Sequence, residues 1–153
     1  MTKSKESLGT LFQDIARLRV FCFNNMLKDL ELTATQSWVL SALMQKEGII
    51  KGDLAQTLGI RAVTLGGLVD RMESKNWIER RPDEKDRRAK RIWLTPSGRK
   101  LRKVINQSLS DVHNIAIGDL PKESVDHLQA TISTIRENLR QHKGQLEKNN
   151  GTH

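Results

Sequence analysis

A mainly α-helical fold, about six helices interrupted by one short two-stranded hairpin, is what this sequence predicts. Three observations predict it. Apolar residues recur at steps of three and four through most of the chain, the spacing of a helix with one buried side. Between positions 77 and 94 that rhythm stops, and two short extended runs flank a polar, charged loop, as strands of a hairpin do. The third observation is charge. The chain carries a net charge of +8, and residues 71–103 hold thirteen Lys and Arg against five Asp and Glu, so this one segment accounts for all of it. The remaining thirteen basic and thirteen acidic residues cancel. Positive charge confined to one patch suits a polyphosphate partner.

Composition removes several classes. A chain of 153 residues can build one domain with a real core, or a small domain with long appended helices, and the helix lengths below favour the second. No apolar run approaches the roughly 20 residues that span a bilayer. The first residues, Met-Thr-Lys-Ser-Lys-Glu-Ser, carry no export segment, so a cytoplasmic, nucleoid-associated protein is expected. Cys22 is the only cysteine, so it forms no disulfide within the chain and anchors no thiolate cluster alone. On an apolar helical stripe, a buried structural thiol is expected there in preference to a redox sensor. His113, His127, His142 and His153 lack metal-ligand spacing. No cofactor and no metal are expected. An enzyme is not expected either, because the chain has no nucleophile elbow, phosphate loop or paired-carboxylate constellation.

The first helix starts at Leu8, with Leu8, Leu11, Ile15, Leu18, Cys22 and Met26 on one stripe. Thr33 and Gln36 form a capping box, each side chain satisfying the other residue's orphan backbone N–H. The second helix then runs through Trp38, Leu40, Leu43 and Met44, with Gly48 expected to close it. Residues 49–52 read as a connector or minor strand, and 53–60 as a compact helix ended by Gly59. A further helix over 61–75 buries Leu65, Leu68, Val69 and Met72 and leaves Val63, Gly66, Gly67 and Asp70 on the opposite side, with Asn76 as its left-handed cap. Two short helices joined at a glycine, the second exposing one side, are the pattern of a helix-turn-helix. The runs 77–81 and 90–94 then make a wing.

Thr95-Pro96 restarts the helix with a cap and a proline whose missing donor costs nothing at the first position. Leu101, Ile105, Leu109, Val112 and Ala116 give its stripe, and Gly118 ends it. The last helix, about 121–146, carries Val125, Leu128, Ile132, Ile135, Leu139, His142 and Leu146 in alternating steps of three and four, a coiled-coil period. The terminal helices exceed what so small a lobe needs as cover. A two-fold dimer is therefore expected, through Leu11, Ile15 and Leu18 of the first helix and Val125, Leu128, Ile132, Ile135 and Leu139 of the last. Packing within one chain is the alternative. The organisation expected is one domain over 1–153, with a lobe at 32–95 between helical arms at 8–30 and 96–147.

With these residues placed, the chain resembles the MarR family of winged-helix transcription regulators, and within it the SlyA branch. The resemblance spans nearly the whole chain. It rests on Leu32-Thr33-Ala34-Thr35-Gln36, on Leu54-Ala55 and Leu58-Gly59-Ile60 at the turn, and on Leu68-Val69-Asp70-Arg71-Met72-Glu73. Most specific is Asp86-Arg87-Arg88-Ala89-Lys90-Arg91-Ile92, followed by Leu94-Thr95 and Gly98. Each fragment alone is weak, and their joint order and spacing is strong. The resemblance implies a homodimer that binds pseudo-palindromic, A·T-rich promoter DNA, usually represses, and often releases DNA when a small aromatic or phenolic anion binds between lobe and arms.

A recognition helix presents its first turn to the bases, which here is Arg61, Ala62, Val63 and Thr64, with Arg71 as a phosphate contact further along. The resemblance places Arg87 and Arg88 at the minor groove, buttressed by Asp86, with Arg80, Arg81, Lys85 and Lys90 supplying phosphate charge. Where the family more often carries a polar residue or arginine, this chain has Gly66 and Gly67. Close approach of helix and DNA is expected there, with broad sequence tolerance, Gly67 included among the contacts. Trp93 is open between packing on a helical arm and edging an effector pocket. The competing reading is a winged helix used for protein or RNA contacts, without an effector.

Overall fold

The structure, a computed structural model, describes residues 6–86 and 89–150, the side chain of Asn150 excepted. Its elements run α1 (Leu8–Met26), a single 3₁₀ turn (Lys28–Leu30), α2 (Ala34–Gln45), β1 (Ile49–Ile50), α3 (Lys51–Leu58), α4 (Ala62–Ser74), β2 (Ile78–Pro82), β3 (Lys90–Leu94), α5 (Pro96–Ile117) and α6 (Lys122–Asn150). The mainly helical, winged architecture is the expected one.

The capping logic read from the sequence is present atom for atom. Thr33 Oγ1 accepts from the backbone N–H of Gln36 at 3.3 Å, and Gln36 Oε1 accepts from the backbone N–H of Thr33 at 2.9 Å. Asn24 on α1 adds a bond the sequence did not suggest, its Oδ1 accepting from the Ala34 N–H at 2.6 Å, so α1 is fastened to the start of α2. At the end of α3, Gly59 has φ +65°, and the N–H groups of Gly59 and Ile60 donate back to Gln56 and Ala55. This paired closure needs a left-handed residue, and glycine adopts it without a Cβ clash. Asn76 (φ 55°) ends α4 with the same pair of bonds, from its own N–H to Glu73 and from Trp77 to Met72.

Three details differ from the sequence reading. The wing belongs to a three-stranded antiparallel sheet in the order β1-β3-β2, not a two-stranded one, because Ile49 and Ile50 pair with Ile92 and Arg91 of β3. Gly48 does not close α2, which ends at Gln45 with Lys46 extended; Gly48 instead leads into β1, its N–H donating to the Ile92 carbonyl at 3.0 Å. Finally α3 begins at Lys51, β2 begins at Ile78, and α6 continues to Asn150.

The chain forms two compact units, meeting after His113 within α5. In the first, one core joins Phe23 and Leu27 of α1, Leu40 and Leu43 of α2, Leu54, Leu65 and Met72 of the helix pair, Ile78 and Ile92 of the sheet, and Ile105 and Val112 of α5. Full burial of each such side chain stabilises by about 1.5–3 kcal/mol. The side of α1 that enters this core is Phe23 with Leu27. The expected stripe of Leu11, Ile15 and Leu18 lies outside it and is exposed, while Cys22 is half-buried against the core and not fully buried as expected. The second unit holds the left-handed turn at Gly118 and α6, on which Leu128, Ile132 and Leu139 are exposed and Val125 and Ile135 half-buried.

Candidate nucleic-acid interface

The buried side of α4 is the predicted set, Leu65, Leu68, Val69 and Met72, and this fixes what faces outward. Arg61, Ala62, Val63 and Thr64 are exposed at its first turn, Val63 to 88%. A β-branched apolar side chain so fully in water has no partner inside the molecule, and it matches the apolar touch a thymine methyl requires. Gly67 and Arg71 are exposed further along, and Gly66 is half-buried.

The wing is pinned to the body by its register, Ile78 opposite Leu94 and Arg80 opposite Ile92, with Ile78, Ile92 and Leu94 on the core side. At its base Thr95 Oγ1 donates to the Asn76 carbonyl at 2.6 Å and accepts from the Gly98 N–H at 3.1 Å, joining the end of α4 to the start of α5. Two of the predicted DNA-facing cations, Arg80 and Arg81, are engaged internally, as are Arg91 and Arg99. Arg80 pairs with Asp70 and, at 3.4 Å, with Glu73, tying the wing to the recognition helix. Arg81 pairs with Glu79. Arg91 and Arg99 pair with Asp83 and Glu47. Lys85 and Lys90 are exposed, Lys85 in the loop and Lys90 at the start of β3, and neither joins an ion pair among the described residues. Arg87 and Arg88 lie outside the described residues.

The carboxylate that organises the hairpin loop is Asp83, which the sequence reading did not single out. Asp83 is 6% exposed, its Oδ1 accepts from the N–H groups of Asp86 (2.9 Å) and Lys85 (2.8 Å), and its Oδ2 accepts from Arg91 Nε. Those two backbone donors, then the Arg91 guanidinium, hold the Asp83 carboxyl below its ordinary range. Asp86 itself is exposed, its carbonyl accepting from the Ala89 N–H at 2.9 Å. An aspartate two residues before a backbone donor is the usual turn-former, and that was the signal available at Asp83-Glu84-Lys85.

Trp93 stands on the outer side of β3, between the inward Ile92 and Leu94. Its ring lies over Gly48, where a Cβ would stand 2.7 Å from Cζ2, and the Arg81 guanidinium sits 5.0 Å from the ring centroid. The indole is therefore clamped on the outer side of the sheet between a turn and a cation.

A separate cavity of about 280 Å³ opens within the first unit among α1, α2 and α5, walled by Ala16, Val20, Phe23, Trp38 and Leu109 with Arg19 as its charged member. Trp38, read from the sequence as part of an apolar helix side, is 43% exposed and belongs to this wall.

A short helix, a glycine turn, a second helix with a solvent-facing first turn and a basic antiparallel wing together define a winged helix-turn-helix protein. Among the described residues no three His, Cys, Asp or Glu gather as metal ligands, and no helix is long and apolar enough to cross a membrane. The sequence model of the MarR family matches residues 30–89. The multiple antibiotic resistance protein MarR of Salmonella typhimurium is 30% identical over 129 residues, which cover 84% of this chain and 90% of that protein. The chain belongs to the MarR family of transcriptional regulators, and so is a regulator and not an enzyme. Among solved structures, a mutant MarR from E. coli complexed with operator DNA matches with a TM-score of 0.77 at 26% identity, over 84% of this chain and 92% of that one. The transcriptional regulator SlyA matches with a TM-score of 0.79 over 88% and 94%, but at 23% identity it shows the common fold and gives the SlyA branch little support over others.

Proposed function

We propose that this regulator binds double-stranded promoter DNA as a homodimer, reading pseudo-palindromic, A·T-rich sites and acting as a repressor in the cytoplasm. The observation that carries the reading is the first turn of α4, with Arg61, Ala62, Val63 and Thr64 all exposed beside a basic wing. The likeness to a MarR solved with operator DNA supports it. Arg61 takes guanine and Val63 with Thr64 touches thymine methyls. Arg71, Arg81, Lys85 and Lys90 neutralise phosphates, and Arg87 and Arg88 enter the minor groove with Asp86 as buttress. Arg80 acts chiefly by covering Asp70 and Glu73.

The exposed stripes Leu11, Ile15 and Leu18 on α1 and Leu128, Ile132 and Leu139 on α6, flanked by Val125 and Ile135, are the dimer surfaces; apolar rows of this length are seldom left in water. A dimer sets two recognition helices about one DNA turn, ~34 Å, apart. The cavity holding Arg19 receives the effector, a small aromatic anion whose ring meets Trp38 and Phe23 and whose charge meets the guanidinium.

Sedimentation at micromolar concentration combined with a mobility shift tests the reading. The expected result is a two-subunit mass and binding to promoter duplex that double-stranded RNA does not compete away, since the A-form major groove excludes a recognition helix. A one-subunit mass with indifference to DNA at low salt overturns it, and equal competition by RNA favours a different winged-helix role.

A further inference from the structure

Lys75, the capping residue at the C-terminal end of α4, places its charge 44 positions back along the chain, where its Nζ donates to the Glu31 carbonyl at 2.9 Å and to Glu31 Oε2 at 3.0 Å. We propose that Lys75 is a positioning residue that relays the state of the cavity among α1, α2 and α5 to the recognition helix, so that a ligand parting those walls shifts α4 on the DNA. The relay rests on the reading of that cavity as the effector site and of α4 as the helix that reads DNA.

Three observations carry it. The first is where Glu31 lies. It closes the 3₁₀ turn between α1 and α2, and these two helices supply Ala16, Arg19, Val20 and Phe23, then Ala34 and Trp38, to the cavity wall. Asn24 on α1 already accepts from the Ala34 N–H, so a change in the spacing of the two helices reaches the turn that joins them. The second is backbone conformation. Glu31 has φ 49° and ψ 34°, a left-handed geometry that a residue with a Cβ disfavours. Its N–H donates to the Lys28 carbonyl at 2.9 Å, while Lys75 holds its own carbonyl from outside the turn. A conformation held by a distant group is biased whenever that group moves, and the reverse is equally true. The third is at the other end of the side chain. Lys75 Nζ stands 4.8 Å from the centroid of the Trp77 ring, and the Trp77 carbonyl accepts from the Thr95 N–H at 3.1 Å, at the entrance to α5 with its cavity residues Leu109 and Val112. One ammonium therefore meets the links to all three walls. A lysine at a helix C-terminus also complements the helix dipole, but that role needs no carbonyl so far back in the chain. With 13 residues, α4 is about 20 Å long, a lever whose displacement at Lys75 moves the turn of Arg61, Ala62, Val63 and Thr64 at its other end.

The test uses the full chain, a duplex enriched by that chain from a random-sequence pool, and salicylate as the probe of the cavity. Fluorescence anisotropy gives DNA affinity with and without saturating salicylate, and calorimetry gives the salicylate affinity of the DNA-free chain. Salicylate is expected to weaken DNA binding by the wild type about tenfold. In Lys75→Met that factor is expected to fall to about threefold or less, with salicylate affinity and the slope of log DNA affinity against log salt unchanged. Lys75→Arg, which keeps charge and donors, is expected to retain most of the response. Glu31→Gly is expected to lose it while melting no lower than the wild type, because glycine relieves the left-handed backbone. Asn24→Ala tests the relay without a ligand: it is expected to change DNA affinity in the wild-type background and to have little effect in Lys75→Met. A full salicylate response in Lys75→Met or Glu31→Gly overturns the relay, as does a response lost equally in Lys75→Arg. A salt slope lower by about one in Lys75→Met also overturns it, by showing a phosphate contact, and lost salicylate binding does so by showing a wall residue. Salicylate that binds the wild type yet leaves its DNA affinity unchanged overturns the relay as well. A wild-type chain that binds no salicylate overturns the effector reading instead, and the Asn24 and Lys75 pair then decides the relay alone, additive effects overturning it.

Discussion

Arg91 reaches back along the wing to the buried carboxylate of Asp83, while another nitrogen of the same guanidinium donates to the Gly48 carbonyl at 2.6 Å. One side chain thus joins the hairpin loop to the turn before β1. Asp83 has its carboxyl held below the ordinary value of 3.8, first by the backbone N–H groups of Asp86 and Lys85 and then by Arg91. A carboxylate depressed in the folded state binds its proton more readily once unfolded, so its stabilisation is complete above the unfolded value and is lost as pH falls through the folded one. Thermal midpoints measured from pH 7 to about pH 3 should fall in the wild type below about pH 5. Asp83→Asn should melt lower at neutral pH and show a shallower acid limb. Parallel curves would show that the ionised carboxylate does not hold the loop.

Gly48 has φ +69°, and a Cβ there would meet the Trp93 ring at 2.7 Å. Gly48→Ala should destabilise by about 2–4 kcal/mol, combining left-handed strain with overpacking. In urea titrations the Gly48→Ala/Trp93→Ala double variant should show the two changes to be non-additive, because without the indole the steric part disappears and the backbone part stays. Strict additivity would mean that ring and turn are not in contact.

The glycines of α4 and α5 should behave oppositely. At Gly98 a Cβ would fall 2.0 Å from the Trp77 carbonyl oxygen, a backbone atom that cannot swing aside, so Gly98→Ala should cost at least about 2 kcal/mol. At Gly67 the space is open and φ is not left-handed, so Gly67→Ala should stabilise by about 0.4–1 kcal/mol. Chemical denaturation of the two variants reads both signs.

Arg80→Ala should separate stability from binding. Its pairs with Asp70 and Glu73 are largely solvated and worth ~1 kcal/mol or less to the fold, yet their loss uncovers two carboxylates beside the recognition helix. DNA affinity is expected to fall about tenfold, ~1.4 kcal/mol, with Asp70→Asn in the same chain restoring most of it. Failure of that rescue would mean that Arg80 contacts DNA directly.

Arg19→Ala should remove the charged member of the cavity among α1, α2 and α5. In the wild type, salicylate is expected to weaken DNA binding and in the variant to have no effect, with DNA affinity in its absence preserved. Equal sensitivity in both proteins would place the effector elsewhere.

Much of the fold was legible because local chemistry decides it. Thr33 with Gln36, Gly59, Asn76 and Thr95-Pro96 each mark a terminus by a specific need of the backbone, and the steps Leu65, Leu68, Val69 and Met72 leave one way for α4 to turn. What escaped depends on distant partners. Ile49 and Ile50 are too few to announce a strand and become one because β3 arrives beside them. Gly48 looks like a helix cap until Trp93, forty-five positions on by the numbering, comes to lie over it. At Asp83 the local turn signal was there to be read, and only the approach of Arg91 from β3 lay beyond it. In the candidate site the exposed first turn of α4 was readable, whereas the place of Arg19 at a cavity was not, since nothing in its neighbourhood along the chain sets it apart from a solvated arginine.

The internal pairing of Arg80, Arg81, Arg91 and Arg99 gives the acids of this region an unexpected part. Glu47, Glu73 and Glu79 act as ballast: each withholds a cation from the surrounding potential without reducing how many cations the chain carries. Attraction for a polyanion can therefore be raised by neutralising a glutamate, with no arginine or lysine added, and the grip of a regulator of this design is set by its acids as much as by its bases.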